Sequence, residues 1–343
     1  MPYPELPELL ALEKIIASGA PHLDCRVLDH VAVPGGPRLP LHLICLGNPD
    51  PAVPAIGFFG GVHGLEKIGT EVVIAYLHHV VRRLQWDQPF RQQLESVRLV
   101  FMPIVNPGGM LLGTRANPAG VDLMRNAPVD AVDTVPLLVG GQRLSPRLPW
   151  YRGPAGAPLE VESRALYRVV AEELLTRRFS IALDCHSGFG LRDRIWFPYA
   201  HTREPIAHLA EVRALKDIFF QTYSHHPYVF EPQSLQYLAH GDLWDDLYRG
   251  ALQQPERLFL PLTLEMGSWL WIKKNPRQLL SIKGMFNPLI EHRQQRVLRR
   301  HLSLLDFLAR AAASHALWLP PAQTPAHARL KAQALQEWYG GTA

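Results

Sequence analysis

Four apolar runs in this chain end in or are followed by ionisable residues, and that pattern constrains its fold more than any other feature. "PAIGFFGG" (54–61), "VRLVFMPIV" (97–105), "SIALDCH" (180–186) and "RLFLPLTLE" (257–265) are too continuous to be half-exposed strands. Such runs suit strands covered on both faces, as in a parallel sheet. Between the first two, Val73, Tyr76, Leu77, Val80 and Leu84 recur at helical spacing, which predicts a helix lying on the sheet. A further helix is expected from Leu159 to Arg177. Near the end, a long one places Ile290, Val297, His301, Leu304 and Leu308 on one face. An opening helix over Glu8–Ser18 precedes two alternating runs, "CRVLDHVAV" and "LPLHLICLG", which "PGGPR" joins as an antiparallel hairpin. The fold class that follows is α/β: a single domain with a twisted mixed β-sheet flanked by helices.

In open α/β sheets, ligands gather at the carboxyl ends of the strands. Here His63 and Glu66 follow the first run, and Arg115, Asp122 and Arg125 follow the second. Asp184 and His186 close the third, and Glu265 closes the fourth. In "FFGGVHGLEKIG" the strand pattern stops before His63 and Glu66, so a bend is free to turn both toward one point. Two histidines and one carboxylate suit a catalytic zinc ion with an open position for water. His63, Glu66 and His186 are that set, and Glu265 is the carboxylate available to accept a proton from the water.

The remaining composition narrows the field. A net charge of +4, with lysines and arginines scattered over 343 residues, gives no track for nucleic acid. No apolar run approaches a membrane span, and the start lacks a basic leader followed by an apolar core. Three cysteines make no disulfide framework. A cytoplasmic protein with neither nucleic-acid nor membrane partners is expected; the oligomeric state is left open. Residues 127–158, crowded with Pro and Gly around Trp150 and Tyr151, are read as a long ordered rim loop. The catalytic domain is expected over 1–315. The tail, 316–343, is either a docking helix or a loose end.

"HGLE", "NPGG…R", "GVDLMRN", "LDCHSG" and "LTLEMG" follow one another in the order and spacing of the zinc carboxypeptidase family. The chain therefore resembles that family, of the carboxypeptidase A type, in a subgroup broadly related to succinylglutamate desuccinylase and aspartoacylase. The resemblance implies one zinc ion per chain, held by His63, Glu66 and His186, with Glu265 as general base. It implies that Arg115 polarises the scissile carbonyl and that Arg125 receives a terminal carboxylate. Asp122 matches an aspartate that orients the first zinc histidine. Tyr237 matches a tyrosine that closes on substrate, with Tyr248 as a competing assignment. Asp184 is either a further orienting acid or a strand-end cap, and Cys185 points to the opposite face of its strand.

One position departs from the family pattern of Asp-x-Asn-Arg: Met124 stands where an asparagine is expected. Methionine donates no hydrogen bond, so half of a carboxylate clamp is missing. Either an arginine of the rim loop (Arg143, Arg147 or Arg152) takes its place, or the substrate does not end in a simple α-carboxylate. The expected activity is hydrolysis of an amide bond, as a carboxypeptidase on small peptides. The alternatives are an N-acyl amino acid amidohydrolase or a zinc-binding module without catalysis.

Overall fold

The computed structural model describes residues 6 to 340; the outermost residues of the expected domain and tail, 1–5 and 341–343, lie outside the described residues. The strands are β1 (Asp24–Ala32), β2 (Arg38–Gly47), β3 (Ala55–Gly60), β4 (Arg98–Met102), β5 (Phe179–Ser187), β6 (Arg194–Phe197), β7 (Val229–Pro232) and β8 (Leu258–Met266). They form one sheet in the order β1-β2-β4-β3-β5-β8-β6-β7. The centre, β4-β3-β5-β8, is parallel throughout. β3, β4 and β5 are buried at every position, as their unbroken apolar runs demand. The hairpin β1–β2 adds antiparallel to β4, and β6 adds antiparallel to β8 with β7 parallel beyond it, so the sheet is mixed.

The helices that cover it begin with α1 (Pro7–Gly19), α2 (Lys67–Arg83), α3 (Gln88–Leu94) and α4 (Pro107–Leu112). Next come α5 (Val161–Val169), α6 (Leu209–Thr222), α7 (Leu243–Ala251), α8 (Trp269–Lys274) and α9 (Ile282–Phe286). α10 (Glu291–Ala313), α11 (His315–Trp318) and α12 (Pro325–Trp338) complete the series. α2 packs with α1 and α10 and lies against β3 and β5. α5 lies on β1 and β2, and α7 on β8. The helix expected over 159–177 is α5, continued by a wider π-type turn over Val170–Leu174. β6 and β7, four residues each, were too short for any periodicity to announce.

The rim loop carries no helix or strand of its own beyond an isolated bridge between Gln142 and Tyr151. It is nevertheless ordered by hydrogen bonds. The Gln142 side chain accepts from the Leu144 and Ser145 amides and donates to the Ser145, Leu148 and Pro149 carbonyls. The C-terminal segment is no loose end. α12 packs on α6, buries Ala334 and Trp338, and donates the Trp338 indole N–H to the Phe230 carbonyl at 2.8 Å. It is a docking helix whose partner is its own sheet.

Because the four central strands are parallel, their carboxyl ends share one edge, and the ionisable residues collect there. Two glycines make the approach close enough. A Cβ on Gly64 would stand 2.1 Å from the carbonyl carbon of Gly109, so only glycine lets the bend after β3 rest on α4. A Cβ on Gly69 would stand 2.1 Å from the carbonyl oxygen of Cys185, which seats the first turn of α2 directly on the end of β5.

Candidate metal centre and active site

His63 and Glu66 sit in the bend between β3 and α2, and His186 is the penultimate residue of β5. All three are buried, and one donor atom from each lies within 4.8 Å of the others. His63 Nδ1 is 2.9 Å from Glu66 Oε1 and 3.2 Å from His186 Nδ1, and His186 Nδ1 is 3.3 Å from Glu66 Oε2. The Ser187 amide donates to Glu66 Oε2 at 2.9 Å, fixing the carboxylate against β5.

The outer nitrogens are held as well. His63 Nε2 is 3.1 Å from Asp122 Oδ1, and His186 Nε2 is 2.6 Å from Asp184 Oδ2. Asp184 Oδ2 also accepts the Trp244 indole N–H at 2.9 Å. Asp184 is thus an orienting acid and not a strand-end cap. Carboxylates behind both rings keep the outer nitrogens protonated and turn both Nδ1 lone pairs inward. Two such lone pairs beside a carboxylate require a proton or a cation between them, and this donor set suits zinc. Without metal, burial works against a charged His186, but Asp184 and Glu66 outweigh it and lift its pKa well above the ordinary value.

Charge accounting agrees. Burial opposes ionisation of Glu66 and Asp122, yet His63 and Arg115 outweigh it and hold both carboxyls below their usual range. Arg115 bridges them, donating from Nη1 to Glu66 Oε1 at 2.9 Å and from Nε to Asp122 Oδ2 at 2.8 Å. Arg115 thus serves two buried carboxylates at once and Asp184 adds a third behind His186, a surplus of negative charge that suits a cation at the centre.

The centre opens into a cavity of about 340 Å³ that Arg115, Met124, Arg125, Tyr237 and Glu265 also line. Glu265 is the register partner of His186 across β5 and β8. Burial, then the charge of Glu66, pushes its pKa up to about 8. Arg125 enters the wall with its guanidinium tied to the rim: Nε and Nη2 donate to the Val139 carbonyl at 3.2 and 3.1 Å, and Nη1 to the Met124 carbonyl at 3.0 Å. Tyr237 faces Arg125, with the guanidinium carbon 6.0 Å from its ring centre. Tyr248 is buried, and its hydroxyl meets His208 Nδ1 at 2.9 Å, which removes it as the competing tyrosine.

The three loop arginines considered as replacements for the missing asparagine do not line the cavity. Arg152 is drawn away by Asp130 at 2.6 Å and by the Arg125 and Val129 carbonyls. Arg143 is spent on the Gly153 and Pro154 carbonyls, and Arg147 is exposed. What fills the place of the asparagine is the apolar Met124 itself.

Several contributors escaped the sequence reading. Asp242 lines the cavity; one oxygen caps α7 by accepting from the Trp244 and Asp245 amides. Its position before a helix was the available signal. Phe189, Trp196 and Phe286 join Trp150 and Trp269, the latter read from the sequence as core or pocket wall, as aromatic walls. Asn287 clamps the bend that carries His63 and Glu66, accepting from the Ile68 amide at 2.9 Å and donating to the Leu65 carbonyl at 2.8 Å.

Comparison with known proteins agrees with this geometry. Residues 38–248 match the model of the family described as zinc carboxypeptidase. That span includes every expected site residue except Glu265. A stretch of 77 residues is 34% identical to "Carboxypeptidase SOL1" of Arabidopsis thaliana, covering 22% of this chain and 16% of that protein. A stretch of 135 residues is 27% identical to "Carboxypeptidase D" of Drosophila melanogaster, covering 37% of this chain and 8% of that one. The matched parts are thus a small share of both curated relatives. Among solved structures, thrombin activatable fibrinolysis inhibitor superposes with a TM-score of 0.67 at 18% identity, over 91% of this chain and 75% of that one. Carboxypeptidase A from Helicoverpa armigera gives 0.66 at 16% identity, over 89% and 72%. These two likenesses establish the fold, and with the family match spanning well over half of its residues, the chain belongs to the zinc carboxypeptidase family.

Proposed function

We propose that this protein is a zinc-dependent carboxypeptidase that removes residues from small peptides, with one zinc ion per chain held by His63, Glu66 and His186. The observation that carries the reading is the convergence of two inward-facing Nδ1 atoms and a carboxylate in one cavity with Glu265, Arg115 and Arg125. A zinc ion held there would supply Lewis-acid polarisation of a carbonyl oxygen and lower the pKa of a bound water toward neutrality. Glu265 takes the proton of the attacking water and passes it to the departing amine nitrogen. Arg115, already anchored on Glu66 and Asp122, presents its remaining N–H groups to the developing oxyanion. Arg125 takes the terminal carboxylate of the substrate, without an amide beside it, and the Tyr237 ring covers it. Asp122 and Asp184 hold the two imidazoles in the tautomer that binds metal.

A second cluster of ligating type, Asp24, Cys45 and Glu173, is already neutralised by Arg98 and Arg26, which supports a single metal per chain. The three cysteines are unpaired, in keeping with a reducing compartment such as the cytoplasm. No helix among the described residues is long and apolar enough to cross a membrane.

An N-acyl amino acid amidohydrolase would share this centre, and Met124 is the one observation that favours it. The test is a comparison of short peptides with free and amidated C-termini, alongside N-acetyl and N-succinyl amino acids. Stepwise release from free C-termini alone, abolished by chelation and restored by zinc, is expected. Turnover of the acyl amino acids with no peptide cleavage overturns the carboxypeptidase reading.

A further inference from the structure

Just beyond the strand that carries Glu265 lies a second cavity, of about 200 Å³, whose lining includes four lysine or arginine side chains and one acid. Lys274 from the end of α8 and His292, Arg293, Arg296 and Arg300 from α10 line it, over a floor that includes Trp271 and Val297. The acid in the wall is Asp193, and it is engaged. It pairs with Arg300 at 2.7 Å and accepts from the Gly267 amide at 3.0 Å. Arg293 is steered into place by the Trp271 carbonyl at 3.3 Å. Among the described residues, Lys274, His292 and Arg296 have no acidic partner.

Cations on one concave surface repel each other, and their field is focused by the low-dielectric floor beneath them. The arrangement is relieved by an anion. Arginine forks together with a lysine favour a compact, multiply charged oxyanion that accepts several hydrogen bonds at once. A helical repeat supports the geometry, since positions 292, 296 and 300 of α10 succeed one another at intervals of four and share a face.

We infer that this cavity is a binding site for a phosphate-type anion, separate from the catalytic cavity and independent of the carboxypeptidase reading. Its place in the fold links the two. Trp269 of α8 lines the catalytic cavity, while Leu270 and Trp271 line the cationic one. Gly267, two residues beyond Glu265, forms part of the same wall. An anion drawing Lys274 toward Arg296 and Arg300 therefore fastens α8 to α10 directly behind the substrate-binding wall.

The test is calorimetric titration of inorganic phosphate into the full-length, zinc-loaded chain at constant ionic strength. The same titration is made on Lys274→Gln plus Arg296→Gln and on Arg125→Met. Both positions of the double variant are exposed and bear no catalytic role, so its activity without phosphate should equal that of the parent. One-to-one binding is expected, weakened about thirtyfold or more by the double substitution and unchanged by Arg125→Met. Quenching or enhancement of tryptophan fluorescence through Trp271 should follow the same isotherm. Absence of binding, equal affinity in the double variant, or loss of binding in Arg125→Met overturns the proposal.

Discussion

Nδ1 of His63 and Nδ1 of His186 lie 3.2 Å apart, each ring backed by a carboxylate on its far nitrogen. The distance is short because both rings are aimed from behind. Asp122 comes from the segment after β4, whereas Asp184 stands on the same strand as its histidine. Metal affinity should therefore depend on residues that never touch the ion.

Asp184→Asn tests this directly. The amide keeps the size of the side chain but gives up the charge that fixes the His186 tautomer. Zinc affinity, measured by competition with a chelator, should fall about 10- to 100-fold. Trp244→Phe, which removes only the second donor to Asp184 Oδ2, should weaken it less.

Glu265→Gln should lower kcat about 10³-fold while the metal content stays at the parent value. A variant that has lost zinc as well as turnover would show that Glu265 holds the ion rather than the proton.

Arg125 and Met124 separate binding from chemistry. Arg125→Met should raise KM for peptides with a free carboxyl terminus about 10- to 100-fold, with kcat little changed. Met124→Asn supplies a donor in the same wall and should lower KM several-fold for those peptides alone. If neither variant alters the preference for a free over an amidated terminus, the carboxylate is bound elsewhere.

His301 governs an acid-dependent part of the stability. Burial lowers its pKa to about 4, against an ordinary 6.5, and the nearby Arg300 and His226 add to this while Asp193 opposes it. Tyr228 meets the ring at Nδ1, 2.7 Å away, and suits its neutral form. Between these two values the unfolded chain binds a proton that the folded chain refuses. The contribution is complete above pH 6.5, declines as the pH falls toward 4 and is flat below it. About 3 kcal/mol is involved. Denaturant unfolding at pH 7 and pH 4.5 should show a smaller difference in His301→Asn than in the parent.

The strands and the clustering of His63, Glu66 and His186 were legible because both leave strong local marks. Buried parallel strands write unbroken apolar runs; β5 and β8 carry His186 and Glu265 next to their last residues, and His63 and Glu66 follow β3 within one bend. Much else was set by the partner and not by the segment. Nothing within "FFGGVHG" distinguishes a glycine that turns the chain, such as Gly61, from one, such as Gly64, that admits another backbone. Asn287 acts on Leu65 and Ile68 from 219 or more residues away and has no local signature. The loop arginines looked equally available in sequence; carbonyls hold Arg143, Asp130 and carbonyls hold Arg152, and Arg147 points to solvent, so none lines the cavity.

The contact between Gly69 and the Cys185 carbonyl has a reach beyond local packing. It places Glu66 and His186 on two surfaces that separate whenever α2 lifts from β5. A metal ion held by both residues would therefore tie α2 to β5, and its removal should lower the unfolding temperature of the whole domain. Injury at the back of that seam, even one added methyl at Gly69, would register first as metal leaking from an intact set of donors.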